Sequence, residues 1–334
     1  MISSTSAKNP AVISVPALNA AKMRHVGKRL CWLKGLVVIM LACAALLLMA
    51  ADIRWLPSAS LLWNQLAATQ AQRESAVWLP DFQVNIDAKP VSGLQSDVSG
   101  LTFDPDRRSL FAITNANPEI VELSLDGILL RRIPLSGLID PEAIEYVAPG
   151  HYVVTDERQQ SLVKIWIDDS TTHIDASTAR QVAIGIGRNG NKGFEGLAHD
   201  RRGQRLFVAK ERDPQRIYEI AGFASPAQGG GASLEISDNP ARDAALPGSD
   251  LSSLYFDEAS GHLLALSDES RLVVELDRDG RPLSSLSLKA GRHGLQDSVP
   301  QAEGMAMDDR GNLYIVSEPN LFYRFSRPDA GRSD

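Results

Sequence analysis

The chain has 334 residues, 44% hydrophobic and 22% charged, with a formal net charge of −7. These values are ordinary for a globular protein and suit one large all-β domain or two smaller ones. The charge is uneven: residues 1–51 carry six basic residues and no acid, leaving 28 basic against 41 acidic residues, a net of −13, in the rest. That acidity argues against nucleic acid as a partner, because phosphate contacts need clustered Lys and Arg, and it favours cationic ligands or metal ions.

Residues 1–34 read as a cytoplasmic tail that ends in the basic cluster Lys22, Arg24, Lys28, Arg29 and Lys34. Gly35 to Ala51 is an unbroken apolar run of 17 residues closed by Asp52. That length is at the short end for a transmembrane helix. The preceding positive charges predict a cytoplasmic N-terminus and place the remainder outside the inner membrane, in the periplasm. The reading is a single-pass signal anchor. A cleaved signal peptide is the competing one, since Met49-Ala50-Ala51 is a passable cleavage site. Both cysteines, Cys31 and Cys43, fall in this region, so no disulfide is expected in the folded part. Residues 52–77 read as a juxtamembrane helix or linker, with Leu61, Leu62, Leu66 and Ala67 on one helical face, set against the membrane or the folded domain.

From residue 78 to 328 one unit recurs five times. It opens on an apolar segment, turns, runs through a second strand that ends in polar residues, and adds a third apolar strand. The openings are Val98-Ser99-Gly100-Leu101-Thr102-Phe103-Asp104, Pro141-Glu142-Ala143-Ile144-Glu145-Tyr146 and Phe194-Glu195-Gly196-Leu197-Ala198-His199-Asp200. Leu251-Ser252-Ser253-Leu254-Tyr255-Phe256-Asp257 and Ala302-Glu303-Gly304-Met305-Ala306-Met307-Asp308 complete the set. Successive openings lie 43, 53, 57 and 51 residues apart, close to the 40–50 or so that a four-stranded propeller blade needs. The pattern predicts an all-β fold: a five-bladed β-propeller preceded by one transmembrane segment. The fifth unit supplies three strands before a short disordered tail, 329–334. Phe82 to Ile86 is expected to add the fourth and close the ring, removing the open edges. A degenerate sixth blade would have to hide in residues 168–190.

In such a blade the start of strand one and the end of strand two meet at one rim of the central channel. The first positions are Ser99, Glu142, Glu195, Ser252 and Glu303; the second are Asn115, Asp156, Glu211, Asp268 and Glu318. Seven of these ten are carboxylates, which must protonate, pair or bind a cation. Arg158, Lys210 and Arg212 are near enough in sequence to pair with some. Oxygen donors without a His or Cys cluster suit a hard cation, calcium before magnesium. The expected ligands are Glu142, Glu195, Glu303, Asp156, Glu211, Asp268 and Glu318. The plainer alternative is that these acids line a solvated mouth or cap backbone N–H groups.

Other motifs carry less. Gly185 to Gly190 matches a dinucleotide fingerprint by letter, but it leads into a strand, where a phosphate cradle needs a helix. Asp277-Arg278-Asp279-Gly280 lacks the Glu of a calcium loop and reads as a hairpin turn. His199 ends an inner strand and reads as a packed core residue.

The chain resembles the SdiA-regulated domain family, and more distantly the NHL-repeat propellers. The resemblance rests on Val98–Thr102, Leu110–Asn115, Pro118–Leu123, Asp140–Tyr146, Thr155–Arg158 and Gly193–Ala198, and covers about residues 80–327. It implies a five-bladed propeller with an N-terminal membrane segment and a calcium site, and no assigned activity. Two functions follow as expectations. The first is a binding module that holds a small ligand or an envelope protein. The second is a divalent-metal-dependent hydrolase of lactonase, esterase or phosphatase type, with Glu195 and Glu303 on the metal and Glu211 as base.

Overall fold

A computed structural model of the chain describes residues 36–43, 57–95, 97–185, 193–224 and 233–328. Each recurring opening forms the innermost strand of an antiparallel meander. The first blade comprises β2 (Val98–Asp104), β3 (Ser109–Thr114), β4 (Glu119–Leu123) and β5 (Leu129–Ser136), and is preceded in the chain by β1 (Gln83–Pro90). The second is β6 (Pro141–Ala148), β7 (His151–Asp156), β8 (Ser161–Trp166) and, after the short β9 (Ile174–Asp175), β10 (Gln181–Ala183). The third is β11 (Phe194–Asp200), β12 (Arg205–Lys210), β13 (Arg216–Ala221) and β14 (Glu235–Asp238). The fourth is β15 (Ser253–Asp257), β16 (His262–Ser267), β17 (Leu272–Leu276) and β18 (Pro282–Ser287). In the fifth, β19 (Ala302–Met307), β20 (Leu313–Ser317) and β21 (Leu321–Ser326) are completed by β1, which pairs Gln83 with Ser326 and Pro90 with Leu321.

The ring therefore closes as the repeat implied, on a strand from upstream of the first blade. No sixth sheet exists among the described residues. The region suspected of hiding one supplies β10 to the second blade and β9 to the edge of β5 in the first. The Asp277–Gly280 segment is the β17–β18 turn, with the Asp277 carboxylate accepting from the backbone N–H of Asp279 and Arg281 at 2.9 and 2.8 Å. Of the Gly185–Gly190 motif, all but Gly185 lies outside the described residues, as does the glycine run at 229–231.

The core is divided among the five seams between blades. Phe111, Ile144, Tyr152 and Val163 fill the first seam; Ala143, Val153, Phe194 and Val208 the second. The remaining seams are packed in the same way, for example by Leu264, Met305 and Tyr323 between the fourth and fifth blades. Strands such as β3 and β16 are buried along their whole length because both faces of a blade are covered by neighbours. The inner strands approach so closely that a Cβ at Gly304 would lie 2.7 Å from the backbone of Gly100. This explains the small residue at the same place in every opening: Gly100, Ala143, Gly196, Ser253 and Gly304.

Residues 57–82 belong to the propeller rather than forming a spacer. Helix α1 (Pro57–Ala67) packs on β18, and α2 (Gln70–Ser75) follows behind a Thr69–Gln72 capping box. The face expected from the sequence is rotated. Leu61 is buried and the Asn64 amide donates to the Pro282 carbonyl at 2.8 Å, whereas Leu62 and Leu66 stay exposed. The contact stripe is thus 61, 64 and 65, at the i, i+3, i+4 spacing of one helical face. Beyond it, the chain is tied down by the wholly buried Glu275. Its carboxylate accepts the backbone N–H of Val77 and Trp78 at 2.8 and 3.0 Å and the Ser284 hydroxyl at 2.6 Å, and it lies 2.7 Å from His262 Nδ1.

Of the expected span 35–51, residues 36–43 are described; they are helical with exposed side chains. Among the described residues no helix is long and apolar enough to cross a membrane. The tails at 1–34 and 329–334 lie outside the described residues.

Candidate functional site

The five inner strands start at one rim of the channel, and most start with a bulge. In β11 the pairing steps from Phe194–Lys210 to Gly196–Ala209, leaving Glu195 without a cross-strand partner. The same step leaves out Glu303 in β19 and both Glu142 and Ala143 in β6. A bulge breaks the in–out alternation and re-aims the extra residue. The recurring acids occupy those extra positions.

The strand-two partners follow the register. Val98 pairs with Thr114, Pro141 with Asp156, Phe194 with Lys210 and Ala302 with Ser317. The residue one further along is therefore the equivalent position: Asn115, Glu157, Glu211 and Glu318, with Asp268 following Ser267 in the fourth blade. The second blade thus corrects the sequence reading by one residue. Asp156 sits where Thr114, Lys210 and Ser317 sit, and both its oxygens hold backbone: Ile139 N–H at 2.7 Å and Gln159 N–H at 3.1 Å. Glu157 is the rim acid that the sequence reading missed.

Two tight groups form around it. Asp140, Glu142 and Glu157 bring carboxylate oxygens within 4.8 Å of one another, and so do Glu157, Glu195 and Glu211. In the first group much of the oxygen valence is taken. Asp140 pairs with Arg158 at 3.2 Å, and Glu142 accepts from the Ser99 hydroxyl at 2.9 Å and the Asn115 amide at 3.0 Å. In the second group Glu157 accepts from Gly193 N–H at 2.7 Å, and a Cβ at Gly193 would lie 2.4 Å from Glu157 Cγ, so glycine is needed for this approach. Glu211 pairs with Arg212 through one oxygen; the other, Oε2, is buried and has no hydrogen-bond partner among the described residues. Lys210 donates instead to the carbonyls of Arg212 and Pro214.

The remaining predicted ligands lie around the same channel but outside these groups. Asp268 accepts from Ala302 N–H at 3.0 Å, and its field reaches Glu303 and Glu318. Asp250, three residues before β15, accepts from the Ser267 hydroxyl and from the backbone N–H groups of Asp268 and Glu269.

Burial raises the proton affinity of Glu142, Glu157, Glu195, Glu211, Asp268, Glu303 and Glu318. Desolvation pushes Glu142 up to about 7, against the hydrogen bonds from Asn115 and Ser99, and pushes Glu303 up to about 8 with help from Asp268 and Glu318. Glu195 is raised well above the usual carboxylate range by burial and by Glu142, Glu157, Glu211 and Glu303 around it. Glu157, Glu211, Asp268 and Glu318 shift the same way, burial first. The folded state therefore binds more protons than the unfolded state between the ordinary Glu value of 4.5 and about 8. This contribution is present in full below 4.5 and is lost as pH rises through 7 to 8. In chelator, the melting temperature is expected to fall from pH 5.5 to pH 8.5. A flat or rising profile would contradict mutual repulsion at the rim.

All ring donors are carboxylate, hydroxyl or amide oxygens, a set that suits calcium or another hard cation and not zinc. The donor chemistry and the orphaned Glu211 oxygen fit such an ion held by Glu157, Glu195 and Glu211.

The family model for SdiA-regulated proteins matches residues 74–326. The chain belongs to the SdiA-regulated family. Among solved structures, Myxococcus xanthus glutaminyl cyclase is similar at 13% identity, over 73% of this chain and 95% of that one, with a TM-score of 0.50. The gluconolactonase XC5397 from Xanthomonas campestris matches at 14% identity over 78% and 94%, TM-score 0.49. A chain of a nidogen/laminin complex matches at 17% over 67% and 73%, TM-score 0.44. At these identities the likeness is one of fold, and the family assignment leaves the activity to the site itself.

Proposed function

We propose that this member of the SdiA-regulated family is a calcium-binding recognition module whose channel rim holds a ligand or partner of the cell envelope. The observation that carries the reading is the group Glu157, Glu195 and Glu211, within 4.8 Å, with one buried Glu211 oxygen unpartnered. A cation there would offset the burial and mutual repulsion that raise Glu157, Glu195 and Glu211. The basic tail and the apolar run 35–51 support an inner-membrane anchor with the propeller in the periplasm. The test is thermal melting of the full chain at pH 8. Calcium at a hundredfold its Kd should stabilise the fold by about 2.7 kcal/mol, a rise of roughly 5–10 °C. No shift at millimolar calcium would remove the cation from the account.

A hydrolytic reading has one observation of its own: Glu303, pushed up to about 8, holds a proton near neutrality as a general acid must. In that case calcium-loaded protein turns over a lactone, ester or phosphoester, and Glu303→Gln abolishes turnover while calcium binding persists. Silence across all three substrate classes would leave the binding module.

A further inference from the structure

The five inner strands also form a cavity of about 280 Å³, lined in part by Leu101, Glu145, His199, Tyr255, Met305 and Met307. These residues lie two to four positions along their strands from the acidic starts, roughly 7–13 Å towards the opposite mouth at the usual rise per residue. His199 is only 7% exposed, and neither ring nitrogen has a hydrogen-bond partner among the described residues. The Tyr146 backbone approaches the ring without hydrogen-bond geometry. A packed core histidine would have satisfied these atoms, since a buried unpaired polar group costs about 1–3 kcal/mol.

We propose that this cavity is a second binding site, for a small uncharged organic molecule that joins an apolar body to a hydroxyl or amide group. Burial and Arg201 hold the His199 imidazole neutral by lowering its pKa to about 4, so the ring offers one donor and one acceptor. Glu145 accepts from the Thr102 hydroxyl at 2.9 Å and from the backbone N–H of His199 at 3.0 Å, and burial pushes its carboxyl up to about 8. The interior is thus largely uncharged at neutral pH. Two of the acids at the mouth are paired: Asp309 with Arg108 at 2.5 Å, and Glu258 with Arg202 at 3.5 Å, while Arg201 adds a cation to the lining. Leu101, Met305 and the Tyr255 ring supply the apolar wall. A charged ligand would have to leave water for an interior whose own titratable groups, Glu145 and His199, are held neutral. A neutral one with a polar group can pair the orphaned ring nitrogens while its body covers the methionines.

Met305 and Met307 are two of the chain's six methionines and serve as reporters. Full-length protein labelled at the methionine methyl carbon should be titrated with benzamide and benzyl alcohol, with benzoate as the charged comparator. Both neutral probes should shift the Met305 and Met307 methyls saturably, with benzoate at least tenfold weaker. His199→Phe should weaken benzamide at least tenfold, His199→Gln should retain it, and Glu157→Gln at the far rim should leave it unchanged. Linear, unsaturating shifts would show that water alone fills the cavity. Unchanged affinity in His199→Phe, or benzoate binding as well as benzamide, would likewise overturn the proposal.

Discussion

Replacing Glu157 by Gln should weaken calcium binding by roughly two orders of magnitude, within the spread that ligand charge produces among oxygen-donor sites. Glu157 is the member common to both carboxylate groups, is 2% exposed, and is oriented by Gly193 N–H. The amide keeps the shape, and its oxygen can still accept from Gly193 N–H, but it removes a negative charge from the centre of the ring. Asp156→Asn is the control, because both Asp156 oxygens are taken by the backbone N–H groups of Ile139 and Gln159. Calorimetry on the two variants separates the assignments. Loss of binding in Glu157→Gln with retention in Asp156→Asn supports the register argument, and the reverse would restore Asp156 as the ligand.

The largest effect on stability is expected at Glu275, far from the rim. Glu275→Ala leaves two buried backbone N–H groups, the Ser284 hydroxyl and the His262 ring without their shared acceptor. Breaking a buried polar network from one side destabilises by about 3–5 kcal/mol, a fall in melting temperature of roughly 10 °C for a domain of this size. The loss would free residues 76–79, whose side chains pack into the fourth and fifth blades. Glu275→Gln keeps one acceptor oxygen and should lose half as much or less. A Glu275→Ala protein within 1 kcal/mol of the parent in urea unfolding would show that this contact is incidental to the attachment.

The propeller was legible because its signal is repeated. Five openings with a small residue at the same place, spaced at blade length, report the close approach of inner strands that Gly100 and Gly304 make visible. Ring closure was legible for a related reason: a fifth unit one strand short demands a donor, and the strand-like segment Phe82–Ile86 lies just upstream of the first blade. The acids around the channel rim were legible in the repeat, and one position in the second blade was placed a residue off. In the second blade both Asp156 and Glu157 are acidic, whereas the other strand ends pair an acid or amide with Thr, Lys or Ser. Composition cannot choose between two neighbouring acids; the pairing of Asp156 with Pro141 can, because one residue of register moves a side chain to the other face. The docking of α1 was hidden by the same ambiguity. Several leucines shared the helix, and the contact stripe includes the polar Asn64 and Gln65, which pair with β18. His199 read as core because its burial follows from the strand pattern, while the missing partners of its ring depend on how five strands converge.

Calcium-loaded crystals of the full chain, with anomalous scattering recorded at long wavelength, test the central claim most directly. A single peak about 2.3–2.6 Å from carboxylate oxygens of Glu157, Glu195 and Glu211 is the predicted result. A peak centred on Asp268, Glu303 and Glu318, or no peak in the channel at saturating calcium, would contradict it.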